Sequence, residues 1–424
     1  MENGHRRFPP VTHHAGLEPF MRALTRFSPE IRQYLLITGN YWAFTLTDGA
    51  LRMLVVLHFH GLGYTPLQIA ALFLFYEFFG VVTNLLGGWL GARIGLNRTM
   101  NLGLGLQVAA LLMLTVPDAL LGVPWVMTAQ ALSGIAKDLN KMSAKSSIKL
   151  LVVDGQQGRL YRWIALLTGS KNALKGVGFF LGGALLGLFG FQGSLLAMAA
   201  ALALIWLASL VLLRRDLGKA RAKPKFRDLL SKSRAINVLS AARLFLFGAR
   251  DVWFVVALPV YLASVFGWDV WQVGGFLAVW VIGYGVVQSL APYLTGKRRG
   301  QAPGGRAAFA WAVPLAALPA AIALGLAGGW PAQTVLIVGL LAFGALFAVN
   351  SALHSYLIVS YAKVDGVSLD VGFYYMSNAL GRLLGTLLSG WVYQAYGLTA
   401  CLWISSAFVL FAALVSLGLP RQHA

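Results

Sequence analysis

The chain has 424 residues, 58% of them hydrophobic and 11% charged, with 34 Lys and Arg against 14 Asp and Glu and a formal net charge of +20 at pH 7. Apolar runs long enough to cross a bilayer recur to the end, which excludes an ordinary soluble domain and points to an all-α polytopic membrane protein. The basic excess then needs no nucleic acid, because cytoplasmic connections of membrane proteins collect Lys and Arg. Cys401, the single cysteine, can form no internal disulfide and belongs to no metal cluster; a small packing residue near a helix end is its expected role.

Residues 1–33 lack the basic, apolar, small-residue order of a cleaved signal peptide. Arg6, Arg7, Arg22, Arg26 and Arg32 mark a cytoplasmic tail, within which Leu17 to Phe27 is either a short amphipathic surface helix or disordered. Twelve apolar spans follow, cut at turn-forming or charged breaks. Six lie in a first bundle over 34–213, at 34–60, 66–92, 98–116, 124–148, 160–188 and 194–213. A basic linker, 214–235, separates them from a second bundle over 236–418, with spans at 236–265, 270–294, 307–326, 333–360, 371–395 and 399–418, and a tail at 419–424.

Charge orients the spans. Arg93, Arg98, Arg159, Arg162, the run from Arg214 to Arg234, and Lys297, Arg298, Arg299 and Arg306 fall on one face. The opposite connections, Gly61 to Pro66, Pro117 to Val123 and Gly328 to Ala332, hold no Lys or Arg, so both termini are expected in the cytoplasm.

The halves resemble each other. YTPLQIAALF from Tyr64 is similar to WDVWQVGGFL from Trp268, and Asn172-Ala173-Leu174 recurs as Asn378-Ala379-Leu380. Two six-helix halves related by a parallel repeat resemble the major facilitator architecture, whose substrate site lies between halves near the bilayer midplane. Gly88-Trp-Leu-Gly-Ala-Arg93-Ile-Gly95-Leu-Asn-Arg98 resembles that family's GxLxDRxGRR signature, with Ala92 where the acid usually stands, so no carboxylate latch is expected there. Thr295 to Arg299 is at best a relic of the same motif. Gly178, Gly182, Gly183 and Gly187 read as packing residues that let a neighbouring helix approach.

Charges within the spans carry the chemistry. An ammonium at the bilayer centre costs about 2.5 to 3.5 kcal/mol, so such groups face a cavity, a partner or a substrate. At a rise of about 1.5 Å per residue, Lys171 and Arg382 lie roughly 16 Å into their spans and Lys175 roughly 22 Å, too deep to snorkel. These three are the leading substrate ligands, with structural ion pairing as the alternative. Lys137, Lys141, Lys145 and Lys149 recur on one drifting helix face. Lys137 is the deepest, Lys141 is placed to guide entry, and Lys145 and Lys149 are expected at the cytoplasmic interface. Arg52, Arg243 and Arg250 add cations on the first and seventh spans. For Arg52, pairing with Asp48 one turn earlier competes with substrate contact; Asp251 adjoins Arg250, but neighbouring side chains diverge on a helix.

Glu77 lies roughly 16 Å deep with no cation near it in sequence, which makes it the first candidate for proton coupling, with Asp48 second. Asp138 and Asp251 have positive neighbours. Asn172 and Asn378 could add neutral hydrogen bonds to a substrate, as could Asn40, Tyr41, Asn140, Ser170, Asn350 and Tyr374, although polar helix packing explains any of them; His354 is expected at the interface. Cations outnumber acids and the deepest have no evident acid partner in sequence, so a small, multiply charged anion suits the cavity and a cationic drug does not. No activated nucleophile with a base partner and no clustered metal ligands stand out, so neither an enzyme nor a cofactor is expected.

Gly39 to Arg52, Tyr76 to Gly80 with Val81 to Asn101, Gly134 to Lys149, and Thr168 to Gly183 also resemble the ArsJ-type organoarsenical efflux permeases. That resemblance implies export of 1-arseno-3-phosphoglycerate from the bacterial inner membrane, supplied by glyceraldehyde 3-phosphate dehydrogenase acting with arsenate. It implies arsenate resistance by alternating access in what is expected to be a monomer, and transfers no ligand residue by residue. The competing expectations are a general organophosphate or organic-anion facilitator and, more remotely, a membrane-embedded enzyme or a transport-derived sensor.

Overall fold

The computed structural model describes residues 28–64, 69, 72–152, 155–213, 217–221, 225, 232–295 and 303–420. The tail helix expected at Leu17 to Phe27, most of the basic linker and Lys297 to Arg299 lie outside the described residues. The described chain is helical: α1 Pro29–Gly61, α2 Leu74–Ile94, α3 Leu96–Met113, α4 Val123–Leu151, α5 Gln157–Leu212, α6 Arg234–Phe254, α7 Ala257–Phe266, α8 Val270–Thr295, α9 Gly305–Ala327, α10 Ala332–Tyr361 and α11 Val367–Ser416. Long apolar helices are what a bilayer selects, because each satisfies its own backbone hydrogen bonds. Among the described residues, six segments pass the length and apolarity needed to cross a membrane: 157–212, 234–266, 271–295, 305–327, 332–361 and 367–416. The helices α1 and α4 are not among them, and these carry Asp48, Arg52 and the Lys137 to Lys149 row.

Two of the expected span boundaries, and one break inside an expected span, have identifiable backbone causes. Gly190 (φ 66°) and Gly397 (φ 77°) break α5 and α11 into two limbs each, in a conformation that suits glycine and little else. Between α6 and α7 the chain turns at 255–256, because Pro259 has no N–H and its ring opposes the carbonyl four residues back. Ser389 Oγ accepts the freed N–H groups of Val256 (3.3 Å) and Ala257 (3.1 Å). The span expected at 236–265 is therefore two helices.

Hydrogen bonds identify the helix ends that lie together. Gln33 Nε2 donates to Leu212 O, Leu96 N to Leu217 O, Ala220 N to Ala92 O, Gly305 N to Pro420 O and Arg221 N to Asp365 Oδ1, so both ends of the described chain and its central segment share one end of the molecule. At the other end His58 stacks on Phe191 and Gln192 Nε2 donates to Val116 O. One apolar core is built wholly from residues between 246 and 413. The other unites α1, α3, α4 and α5 with the terminus-bearing ends of later helices, including Val349 to Val359 and Val367 to Tyr375.

Glycines set the close approaches, as expected for α5. A Cβ on Gly178 would stand 2.9 Å from Leu46 O, and one on Gly182 2.4 Å from Ala50 O, so α1 lies directly on α5. Gly88 on α2 faces Gly372 on α11 in the same way, and Gly169 on α5 faces Gly285 on α8.

Candidate functional site

The charged residues from α1, α2, α4, α5, α6 and α11 converge where the earlier helices meet the later ones. Glu77 is the hub of the outer part: Arg52 Nη2 and Arg382 Nη2 each lie 3.3 Å from its Oε1. Arg382 also reaches Asp251 Oδ2 at 3.0 Å through Nε, and Arg250 binds Asp251 Oδ1 at 2.5 Å. An acid on α2 and one on α6 thus share the guanidinium of α11. Asp251 is fully buried, whereas Arg52, Glu77 and Arg382 keep 28 to 31% of their side-chain surface exposed.

These pairings correct several sequence expectations. Arg382 is not without acid partners; they lie on other helices, at separations that local sequence cannot display. Glu77, lacking a cation nearby in sequence, touches two in space. Arg52 pairs with Glu77, and Asp48 instead accepts from Tyr76 Oη at 2.7 Å. Arg250 and Asp251 do meet, because a long guanidinium side chain can fold back along the helix. Lys141 lies 2.5 Å from Asp138 Oδ1, an i, i+3 pair within α4.

Lys137, Lys145, Lys171, Lys175 and Arg243 have no carboxylate in contact among the described residues. Lys137 Nζ sits 3.7 Å above the Tyr76 ring, a cation–π contact. Lys171 Nζ donates to Asn172 Oδ1 at 3.3 Å, and Lys175, half-buried, has no hydrogen-bond partner among the described residues. Lys145 is not interfacial: it is 3% exposed and donates to Tyr375 Oη. His354 is likewise buried rather than interfacial. Lys149, half-buried, donates to Ser360 O on α10.

Arg243, 3% exposed, donates to Asn378 Oδ1 (2.8 Å) and Ser351 Oγ (3.3 Å) and lies over Phe247 at 3.7 Å. Ser351 Oγ also accepts from Gln288 Nε2 (3.0 Å), whose Oε1 accepts from Asn172 Nδ2 (2.6 Å). A continuous polar chain therefore runs from Lys171 on α5 through α8 and α10 to Arg243 on α6 and Asn378 on α11. Asn172 and Asn378 are both members. Asn40, Asn140 and Asn350 are not; they hold Ser209 Oγ, Ala136 O and Trp311 O in helix packing.

Tyr76, Tyr375, Gln288 and Ser351 were missed from the sequence. Gln288 had a detectable sign, an amide inside an apolar span, whereas tyrosines among Phe, Trp and Leu resemble ordinary lining.

Below this layer the molecule is shut. Ser368 Oγ donates to Gly88 O (2.7 Å), Tyr356 Oη to Gln157 Oε1 (3.2 Å), and Tyr161 Oη meets Thr295 Oγ1 (2.8 Å). Lys232 pairs with Asp370 at 3.4 Å. The signature-like turn contributes its backbone: Ala92 is fully buried and its carbonyl holds Ala220 N.

Residues 35–363 match the profile of the Major Facilitator Superfamily. The chain belongs to this superfamily. It is accordingly a multi-pass membrane transporter and not an enzyme. No curated protein sequence matches it. Among solved superfamily structures, the human organic anion transporter MFSD10 (TETRAN) is similar at TM-score 0.73 and 19% identity, over 92% of this chain and 100% of that one. The E. coli fucose:proton symporter FucP is similar at TM-score 0.73 and 12% identity, over 94% and 100%. A bacterial homologue of the iron transporter ferroportin, in an outward-facing state, gives 0.68 and 14%, over 90% and 98%. At these identities the likeness concerns the fold alone.

Proposed function

We propose that this transporter exports a small, multiply charged organic anion across a bacterial inner membrane by alternating access, and that 1-arseno-3-phosphoglycerate is its substrate. One observation carries the reading: Lys137, Lys145, Lys171, Lys175 and Arg243 gather between the helix groups with no carboxylate in contact among the described residues. Oxyanion oxygens supply the missing charge, and each hydrogen bond to a charged group contributes about 1.5 to 3 kcal/mol. Carboxylate, phosphate and arsenate groups on a three-carbon frame can engage several cations together.

In this reading the chain crosses the membrane twelve times, as bundles over 34–213 and 236–418, with both termini in the cytoplasm; α5 and α11 each count as two crossings and α6 with α7 as one. Lys137, Lys141, Lys171, Lys175 and the three arginines Arg52, Arg250 and Arg382 line the outer part of the path, and Arg243 with Asn172 and Asn378 lies beneath it. Glu77 and Asp48 are the groups placed to exchange protons, Glu77 by leaving Arg52 and Arg382 when the anion binds them. Glyceraldehyde 3-phosphate dehydrogenase would supply the substrate, and the protein would work as a monomer.

The test uses inverted membrane vesicles given the dehydrogenase, glyceraldehyde 3-phosphate, oxidised nicotinamide cofactor and labelled arsenate. Arsenic should accumulate only with the complete system, and Lys171→Ala should abolish accumulation without loss of protein. Accumulation from arsenate alone would mean an inorganic oxyanion carrier. Exchange of phosphoglycerate without arsenic accumulation would mean a general organophosphate facilitator.

A further inference from the structure

The cations form two clusters rather than one. Lys175 lies in the field of Arg52, Lys171 and Lys137, with Asp48 close by. Lys145 lies in the field of Arg243, Lys141 and Lys171. Lys171 belongs to both. Along α4, Lys145 is about 12 Å nearer the terminus-bearing end than Lys137. The outer cluster includes part-exposed groups, whereas Lys145 and Arg243 are sealed at 3% exposure each.

The sealed pair is energetically odd. Two basic side chains from opposite helix groups face adjoining rings, Lys145 Nζ 4.6 Å from Tyr375 and Arg243 Cζ 5.3 Å from Tyr374, with only hydroxyl, amide and carbonyl oxygens as acceptors. Buried charge without a counter-charge costs several kcal/mol, so packing alone gives no reason for it. Beside Arg243, two further polar atoms are buried without partners: Tyr374 Oη, whose ring centroid is 5.3 Å from the guanidinium carbon, and His354 Nδ1, in the same field. The bonds that seal this layer, Lys145 to Tyr375 and Lys149 to Ser360 O, join an earlier helix to a later one and must break when the terminus-bearing ends part.

We propose that Lys145 and Arg243 form a second anion station, closed in this conformation and opened from the terminus-bearing face, which receives a phosphate-like oxyanion entering from that side before Lys171 passes it to the outer cluster. The proposal rests on the anion-transport reading. Opening frees the Lys145 ammonium from Tyr375, and the arriving oxyanion takes up both charges together with the Tyr374 hydroxyl. The closed layer then re-forms behind the departing anion.

The experiment compares faces. Full-length protein in oriented proteoliposomes is loaded with labelled 3-phosphoglycerate from either side. K145Q and R243Q should raise the half-saturating concentration at the terminus-bearing face about tenfold relative to the opposite face, the lower end of what one charge-assisted hydrogen bond contributes. K175Q should shift the ratio the other way, and R243K should restore part of it. An equal rise at both faces, or none, overturns the station while leaving the anion reading intact. A wild-type protein that carries no 3-phosphoglycerate from either face overturns both. Should the glutamine variants fold poorly, K145C in a C401A background gives a second measurement. A membrane-impermeant thiol reagent should modify it from the terminus-bearing face only, and 3-phosphoglycerate should protect it; no modification from that face overturns the station.

Discussion

Glu77 and Asp251 show how one ion-pair network can serve two purposes. Both hold Arg382, yet Asp251 is fully buried and Glu77 is 31% exposed. Removing a buried partner strands a charge at about 3 to 5 kcal/mol, while a solvent-screened pair is worth about 1 kcal/mol or less. D251N should therefore lower thermal stability strongly, and E77Q only slightly. E77Q should also tighten 3-phosphoglycerate binding several-fold, since Arg52 and Arg382 lose an internal competitor; titration calorimetry and melting curves on the two variants check both halves. Equal destabilisation by the two would mean that Glu77 is structural. Much of this site was legible in the sequence, because lysines deep in an apolar span announce themselves. What could not be read was pairing. Arg382 meets Glu77 across 305 positions of chain, and no local pattern records that contact.

At the scale of the helices, close glycine contacts fall into two kinds. Gly182 packs α5 on α1 within one helix group, an approach that alternating access leaves in place. Gly88 packs α2 against Ser368 and Gly372 of α11 across the seam, where opening relieves any crowding. G182V should thus overpack both conformations and cost about 1 to 3 kcal/mol. G88V should cost far less and instead favour the conformation open at the terminus-bearing end, seen as faster thiol labelling of K145C from that face. Faster labelling in G182V, with none in G88V, would contradict the seam assignment. The apolar spacing predicts most helix positions closely, since length and hydropathy are local properties. Breaks were less legible: the turn before Pro259 needs Ser389 from a distant helix to satisfy it, so the span expected at 236–265 looked continuous.

For the molecule as a whole, the excess of cations in the path fixes how a membrane potential should act. In the proposed reading, the path carries net positive charge with no anion bound, and a multiply charged anion largely cancels it. Moving one elementary charge through 100 mV changes the free energy by about 2.3 kcal/mol, enough to govern whichever step carries the charge. The loaded transition should therefore respond weakly to voltage and the empty return strongly. An interior-negative potential draws the empty, positive path toward the cytoplasmic-facing state, which resets an exporter. Proteoliposomes with an imposed potassium gradient and valinomycin test this directly. Net efflux of 3-phosphoglycerate should accelerate as the interior becomes more negative, whereas one-for-one exchange, which never uses the empty return, should stay nearly constant. Exchange that tracked voltage as steeply as net efflux would place uncancelled charge on the loaded protein. The substrate would then carry less charge than the path, contrary to the multiply charged anion proposed for it.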